Sequence, residues 1–326
     1  MSTKNDILAF FERNRGVEVS GQELAEQLGV SRNSVWKAIV SLRDDGYEID
    51  AGTNRGYVFS PSNDVLSAEG IAAALPADVA SALDIRVHDE VDSTNNEAKR
   101  LLSGGLHGPA LVVAARQSAG RGRRGREFAS PEGGVYLTLV LPGAAAADDA
   151  TFVTMAAAVA VARAIEACSS CEPRIKWVND VFVDGLKVCG ILTEGSTDLE
   201  TGTIDNVVVG IGVDTAPEAL PAELEGIAGA IVLDPGCGRN DLIAAIVAGL
   251  LALDPLGAGA ADRTALVEEY RARSLVIGKS IEYEERGIIC YGRAVDIDGA
   301  GGLVVEREDG KSVTLRGGEV TLRLDR

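Results

Sequence analysis

The sequence predicts an α+β protein of three domains: a helix-turn-helix with a β wing at the N-terminus, a mixed α/β centre, and a small β-barrel at the C-terminus. Three observations lead there. Two capped helical segments separated by a glycine break lie within the first 45 residues. The middle of the chain alternates strand-like apolar runs with helical ones. From residue 274 onward there is no helical periodicity, only short apolar runs divided by Gly or Asp-Gly. The predicted boundaries are 1–62, 66–272 and 273–326, within what 326 residues allow.

The first sixty residues justify the N-terminal domain. Ile7, Leu8, Phe10 and Phe11 mark an amphipathic helix. Ser20 followed by Glu23 is a capping box, opening a helix that carries Leu24, Ala25 and Leu28. Gly29 breaks the pattern and Ser31 caps the next helix. There Val35, Ile39 and Leu42 fall on one inward stripe, which turns Asn33, Ser34, Lys37 and Ser41 outward. No acidic residue occurs from 32 to 43, as a helix in a DNA groove requires. Arg32, Asn33, Ser34 and Lys37 are therefore the candidate DNA contacts. Residues 47–50 and 56–59, with Thr53-Asn54-Arg55 between them, predict the wing, and 61–64 the linker. Met1 to Ser60 holds 7 bases and 9 acids, so DNA binding relies on local charge, base contacts and dimerisation.

The central domain opens with helices predicted over 67–75 and 79–83 and a strand over 86–90. Thr94 to Glu97 is a second capping box. A helix start rich in short hydroxyl and amide side chains is also a polar ligand site. A strand over 110–117 follows, ending at Gln117. It leads into Gly120-Arg121-Gly122-Arg123-Arg124-Gly125-Arg126, four arginines and three glycines in seven residues. Glycine lets the backbone come close to a ligand, and arginine stays charged and forks onto carboxylates or phosphates. The loop is built to close over an anion. Gly120, Gly122 and Gly125 also fit G-x-G-x-x-G, but a dinucleotide site needs a helix straight after that turn. Here Pro131, Gly133 and Gly134 lead to another strand over 135–141. The Gly-Lys-Ser/Thr of a Walker loop is absent.

Asp148 or Asp149 is expected to cap a long alanine-rich helix over 151–167, apolar nearly all round and hence buried. Strands over 175–183 and 186–192 flank Asp184-Gly185, a two-residue hairpin signal. Period-two alternation puts Lys187 on the face of Cys189 and Ile191, where it either reaches solvent or meets an anion. Asn179 and Asp180 add an amide and a candidate Mg²⁺ ligand. A buried strand over 207–213 ends at Asp214. Asn240-Asp241 is expected to cap an apolar helix over 242–253, and 263–273 forms the last helix. Five strands close the chain, over 279–284, 288–295, 303–306, 312–315 and 320–324, and suggest an SH3-like barrel.

Composition narrows the classes. No run of about 18 uninterrupted apolar residues occurs and the N-terminus is charged, so a cytoplasmic protein with no membrane association is expected. The five cysteines are odd in number and argue against a disulfide scaffold. Cys168-Ser-Ser-Cys171 lacks the second pair that zinc needs. With 49 acids against 31 bases, only 7 of them lysine, the net charge is −18. That excess suggests adaptation to high salt.

An arginine loop, an inward lysine, an Asn-Asp pair and a polar helix start suit the joining of a carboxylate to ATP, where cations must offset the repulsion of two anions. The arginine-glycine loop, the Lys-Trp-x-Asn-Asp run ending in Lys-x-x-Gly, and the Ser-Thr-Asn helix start resemble those of biotin–protein ligases, in the same order. With a helix-turn-helix in front, the whole chain resembles the bifunctional ligase/repressors of that family. The resemblance implies that biotin and Mg·ATP give biotinyl-5′-adenylate, which a lysine of a biotin carboxyl carrier protein then attacks. It implies biotin contacts from Ser93, Thr94, Asn95, Gln117, Arg121, Gly122, Arg123 and Lys187, with Arg123 and Lys187 catalytic. It implies nucleotide contacts from Arg123, Arg124, Phe128, Asn179 and Asp180, with Asp180 at Mg²⁺. A homodimer on operator DNA is implied as well. The chain departs from the family's usual pattern at three positions: Val178 for proline, Phe128 for tryptophan, and Asp214 for asparagine. Three further readings stay open: a ligase without repression, a biotin sensor that does not ligate, and a lipoate ligase.

Overall fold

The structure is a computed structural model that describes residues 2–52, 56–145, 149–197, 204–257, 259–285 and 287–323. The N-terminal domain runs α1 (Thr3–Arg13), β1 (Glu18–Val19), α2 (Gly21–Leu28), α3 (Arg32–Asp44), β2 (Ile49–Gly52) and β3 (Gly56–Phe59). The Ser20–Glu23 capping box forms in both directions, and Ser31 Oγ accepts from Ser34 N. Gly29 ends α2 in the left-handed conformation, which costs glycine little because it has no Cβ. Ile7, Phe11, Leu24, Val35, Ile39, Leu42 and Phe59 fill the core, with the Phe11 and Phe59 rings stacked at 5.4 Å. The wing strands pair antiparallel; its predicted tip, Thr53-Asn54-Arg55, lies outside the described residues. The linker is pinned to both of the domains it joins. Asn63 is buried and exchanges hydrogen bonds with the backbone of Glu48, while the Asp64 carboxylate meets Arg239 at 2.6 Å.

The central domain carries α4 (Ala68–Ala74), α5 (Ala77–Ala82), β4 (Asp84–Val91), α6 (Thr94–Ser103), β5 (Ala110–Gln117), β6 (Val135–Ala145) and α7 (Asp149–Cys168). It continues with β7 (Arg174–Lys176), β8 (Asp180–Val183), β9 (Leu186–Thr197), β10 (Ile204–Val213), α8 (Arg239–Ala252) and α9 (Ala260–Ala272). One mixed sheet in the order β4-β5-β6-β10-β9-β8-β7 organises it. Among its described strands β4 and β5 are the one parallel pair, joined by the α6 crossover. Helices α7 and α8 cover one face. Residues 150–168 are long and apolar enough to cross a membrane, but Val153, Ala156, Val159, Ala160 and Ile165 are fully buried in the core. Burial on several sides of a helix explains its nearly uniform apolarity. On the other face Ala98 of α6 packs against Val112, Val140 and Val208, leaving the start of that helix over the sheet centre.

Several local expectations change. Helix α7 begins at Asp149, which therefore lies inside it; Asp148 lies outside the described residues. Gly238, not Asn240, is the residue before α8, and Asp241 accepts its N–H at 2.8 Å. Asn240 instead donates to Val65 O at 2.9 Å, because the linker needs that amide. Likewise α6 is preceded by Ser93. The Thr94–Glu97 box does not form: Thr94 N donates to Gln117, and Glu97 pairs with Arg100 at 2.8 Å.

The C-terminal domain is an antiparallel sheet of β11 (Ser280–Glu285), β12 (Ile288–Ile297), β13 (Leu303–Arg307), β14 (Ser312–Leu315) and β15 (Val320–Leu322), in the order β14-β13-β12-β11-β15. Tyr283, Ala294, Ile297, Leu303 and Val305 face inward and join the core of the central domain. Trp177 ties the two together by donating from Nε1 to Gly301 O at 2.9 Å.

Candidate active site

A cleft opens on the face of the sheet that carries α6. Ser93, Thr94 and Asn95 reach it from the start of α6, and Gln117 from the end of β5. The arginine loop contributes Arg121, Gly122, Arg123 and Phe128; the β8–β9 hairpin contributes Asn179, Asp180 and Lys187. Residues separated by nearly a hundred positions thus converge because β5 and β9 flank the central pair β6 and β10.

At the inner end the polar groups are cross-bonded. Gln117 Oε1 accepts from Thr94 N at 2.8 Å, and its Nε2 donates to Ser130 Oγ at 2.8 Å. The Thr138 hydroxyl lies 2.8 Å from Thr94 Oγ1 and 2.7 Å from Asn95 Oδ1. Asn95 Nδ2 donates to Glu194 Oε2 at 2.8 Å. Ser93, Thr94 and Asn95 are all buried, and these bonds fix the orientation of Thr94 and Asn95. Ser130, Thr138 and Glu194 were not among the predicted residues. Thr138 is a lone polar position in an apolar strand, and none of the three has a spacing relation to its partner.

Two cations face the cleft across adjacent residues. Arg123 Nη1 donates to Asn179 Oδ1 at 3.1 Å and to Gly318 O at 3.2 Å. Lys187 Nζ lies 2.8 Å from Asp180 Oδ1. The face expected for Lys187 is corrected by a β-bulge. Val181 pairs with Cys189 but Phe182 with Lys187, leaving Val188 as the extra residue. Cys189 and Ile191 go into the core, whereas the Lys187 amine lies beside Gly190 on the cleft side. A bulge re-aims a side chain in this way. The Phe128 ring lies against Gly190 and Gly212, where an added Cβ would come within 2.9 and 2.5 Å of it. Lys187 Nζ sits 5.9 Å from the ring centroid, within cation–π range.

Arg124 is the one nominated ligand contact that does not line the cleft. Its backbone has φ 56° and its side chain turns to Glu284, 3.1 Å away. Arg126 lines the cleft and pairs with Glu319. Three loop contacts, from Arg123, Arg124 and Arg126, therefore end on the C-terminal sheet or the turn before its last strand.

Burial and charge tune the groups around the cleft. Asp214 is 6% exposed. Desolvation pushes its carboxyl up to about 7, against the opposing pull of Lys187. A carboxyl in that range is about half protonated near pH 7, which lessens the repulsion expected for an anion there. Burial lowers the Lys176 amine, partly offset by Asp180. Burial also opposes ionisation of Glu194, but hydrogen bonds from Lys99 and Asn95 outweigh it and hold the carboxyl below its ordinary value.

For Mg²⁺, Asp180 with Asn179 offers one carboxylate and one amide. No cluster of three metal-ligating side chains occurs among the described residues. That donor set fits a cation carried in by phosphate oxygens and one carboxylate, the usual manner of Mg²⁺.

The predicted DNA contacts lie on α3. Arg32, Asn33 and Lys37 are exposed, while Ser34 is half-buried and bonded to Ser31. Trp36, 55% exposed between Asn33 and Lys37, was not anticipated.

Comparison with known proteins gives three family matches along the chain. They are an HTH domain over residues 3–58, the biotin/lipoate A/B protein ligase family over 87–214, and the biotin protein ligase C terminal domain over 276–323. A bifunctional ligase/repressor BirA of Bacillus subtilis is 32% identical over 316 residues, covering 94% of this chain and 95% of that protein. A biotin--[acetyl-CoA-carboxylase] ligase of Paracoccus denitrificans is 37% identical over 237 residues, 68% of this chain and 94% of its own. Among solved structures, the biotin protein ligase of Aquifex aeolicus in complex with biotin and ATP superposes with a TM-score of 0.60 at 24% identity. It covers 74% of this chain and 99% of that one, and shares the fold.

Proposed function

This chain belongs to the biotin protein ligase family, in the branch that carries a helix-turn-helix, and on that premise we propose how its residues divide the work. The protein is an ATP-dependent biotin–protein ligase. It joins the biotin carboxylate to the α-phosphate of ATP, releases pyrophosphate, and passes biotin from the adenylate to a carrier-protein lysine. The observation that carries this assignment is the pair of cations, Arg123 and Lys187, held on adjacent residues Asn179 and Asp180. Two anions must meet there, and fixed positive charge lowers the barrier most where negative charge develops.

Lys187 neutralises the incoming carboxylate and then an oxygen of the reacting phosphate. Arg123 holds the mixed anhydride from the loop side. Thr94, Asn95 and Gln117 orient the polar head of biotin, with their own hydrogen bonds fixed beforehand by Thr138 and Ser130. Phe128 offers a ring face beside the nucleotide. Asp180, helped by Asn179, would hold Mg²⁺, which would supply neutralising charge to the phosphates. The adenylate orders the arginine loop, excludes water and favours a homodimer. Two helix-turn-helix domains then read a two-fold operator. ATP, carrier and DNA meet in the cytoplasm, where this reading puts the protein.

ATP–pyrophosphate exchange tests the ligase reading. Exchange is expected with biotin and not with lipoate; exchange with lipoate alone would establish the second acid named by the family match. A biotin-ligase C-terminal domain favours biotin. A gel shift on DNA upstream of biotin genes, with biotin and ATP present, tests repression.

A further inference from the structure

Glu194 of β9 stands at a junction that the reaction itself does not explain. Its Oε2 accepts from Asn95 Nδ2 at 2.8 Å, its Oε1 from Lys99 Nζ at 2.7 Å, and Arg121 Nη2 lies 3.3 Å from Oε2. Asn95 and Lys99 are one helical turn apart, so both face the strand from the same side of α6. Arg121 belongs to the loop that covers the cleft. One carboxylate thus joins the ligand-binding helix start to the first arginine of the covering loop.

The consequence for Asn95 is geometric. Its amide nitrogen is occupied by Glu194 and by Leu192 O at 3.3 Å, while its Oδ1 faces the Thr138 hydroxyl. Gly210 lies so close that an added Cβ would come within 2.1 Å of that Oδ1. The amide therefore has one orientation, and Glu194, an obligate acceptor when ionised, selects it. For Arg121 the consequence is electrostatic. A cation in a loop with three other arginines repels its neighbours, and a fixed carboxylate offsets that repulsion.

We propose that Glu194 is a positioning residue for the biotin site: it sets the orientation of the Asn95 amide and clamps Arg121, coupling head-group recognition to closure of the arginine loop. This rests on the ligase reading above. It assigns Glu194 no contact with the reacting atoms, so its loss should weaken binding and retention more than chemistry.

The test uses the full chain, with biotin as the probe in calorimetry and biotinyl-adenylate release followed by stopped-flow. Glu194→Ala is expected to weaken biotin binding at least about tenfold, the scale of a lost charge-assisted hydrogen bond. It should also speed adenylate release. The rate of exchange at saturating biotin should change less than about threefold, the split expected when an interaction serves ground and transition states alike. Glu194→Gln keeps an acceptor for Asn95 but not the charge. It should therefore restore most biotin affinity while leaving release fast. Arg121→Ala combined with Glu194→Ala should release adenylate no faster than the worse single variant, because residues in one network are not additive. Unchanged biotin affinity in a folded Glu194→Ala protein would overturn the proposal, as would additive effects of the two alanines on release. A wild-type protein that binds no biotin would instead remove the ligase reading itself.

Discussion

The amine of Lys187 lies 2.8 Å from the carboxylate of Asp180, on neighbouring strands at the floor of the cleft. This pair keeps a cation oriented before any anion arrives. Lys187→Ala is expected to lower ATP–pyrophosphate exchange by on the order of 10²–10³-fold, the range for a removed transition-state contact. Melting should change little, because partly exposed ion pairs contribute about 0–1 kcal/mol to stability. Exchange within about threefold of wild type would remove Lys187 from the chemistry.

Arg123 is bonded to Asn179 on one side and to the Gly318 carbonyl on the other. Arg123→Gly removes both contacts and leaves the loop unfastened at its centre. The adenylate should then escape and acylate unrelated lysines, seen as biotin spread over bystander proteins on a streptavidin blot. Labelling still confined to the carrier would count against the assigned role.

Asp214 gives a pH prediction with a definite sign. Its folded value, about 7, is raised from 3.8 by burial. The folded state therefore binds the proton more tightly than the unfolded one. Stability from this group is full below about pH 4 and falls as pH rises through 7. Between pH 5 and pH 8 the wild-type protein should lose about 2–3 kcal/mol that Asp214→Asn retains. Denaturant melts at the two pH values measure this; parallel pH profiles for both proteins would contradict it.

On α3, Lys37 is exposed beside Trp36. Lys37→Ala should weaken operator binding similarly for all sequences and reduce the slope of log K against log salt by about 1. Trp36→Ala should instead reduce discrimination between operator and unrelated DNA. Titrations at several salt concentrations separate the two outcomes.

The elements and their order were legible because burial imposes periodicity. Ser20 with Glu23, and Ser31 before α3, could be read directly because a cap and its partner are three residues apart. The same rule failed at Thr94, where a tertiary partner, Gln117, took the backbone N–H that the cap would have used. Alternation failed at Lys187 because a bulge is a property of two paired strands, not of one. The ligand-facing residues announced themselves by being polar or charged in apolar surroundings. Glu194 did not, since its partners Asn95 and Arg121 are 99 and 73 positions away. Arg124 looked like its loop neighbours in sequence, yet its backbone conformation sends it outward to Glu284.

The fastening of the arginine loop to the C-terminal sheet bears on biosynthesis. Its contacts to Glu284, Gly318 and Glu319 span 160 to 195 residues of chain. A nascent polypeptide lacks these anchors until residues 284–319 emerge from the ribosome, although the helix-turn-helix is already complete. Competence to make a reactive acyl donor is thereby deferred until the C-terminal sheet has been made. Truncated chains should retain the means to touch DNA before they gain the means to hold an adenylate.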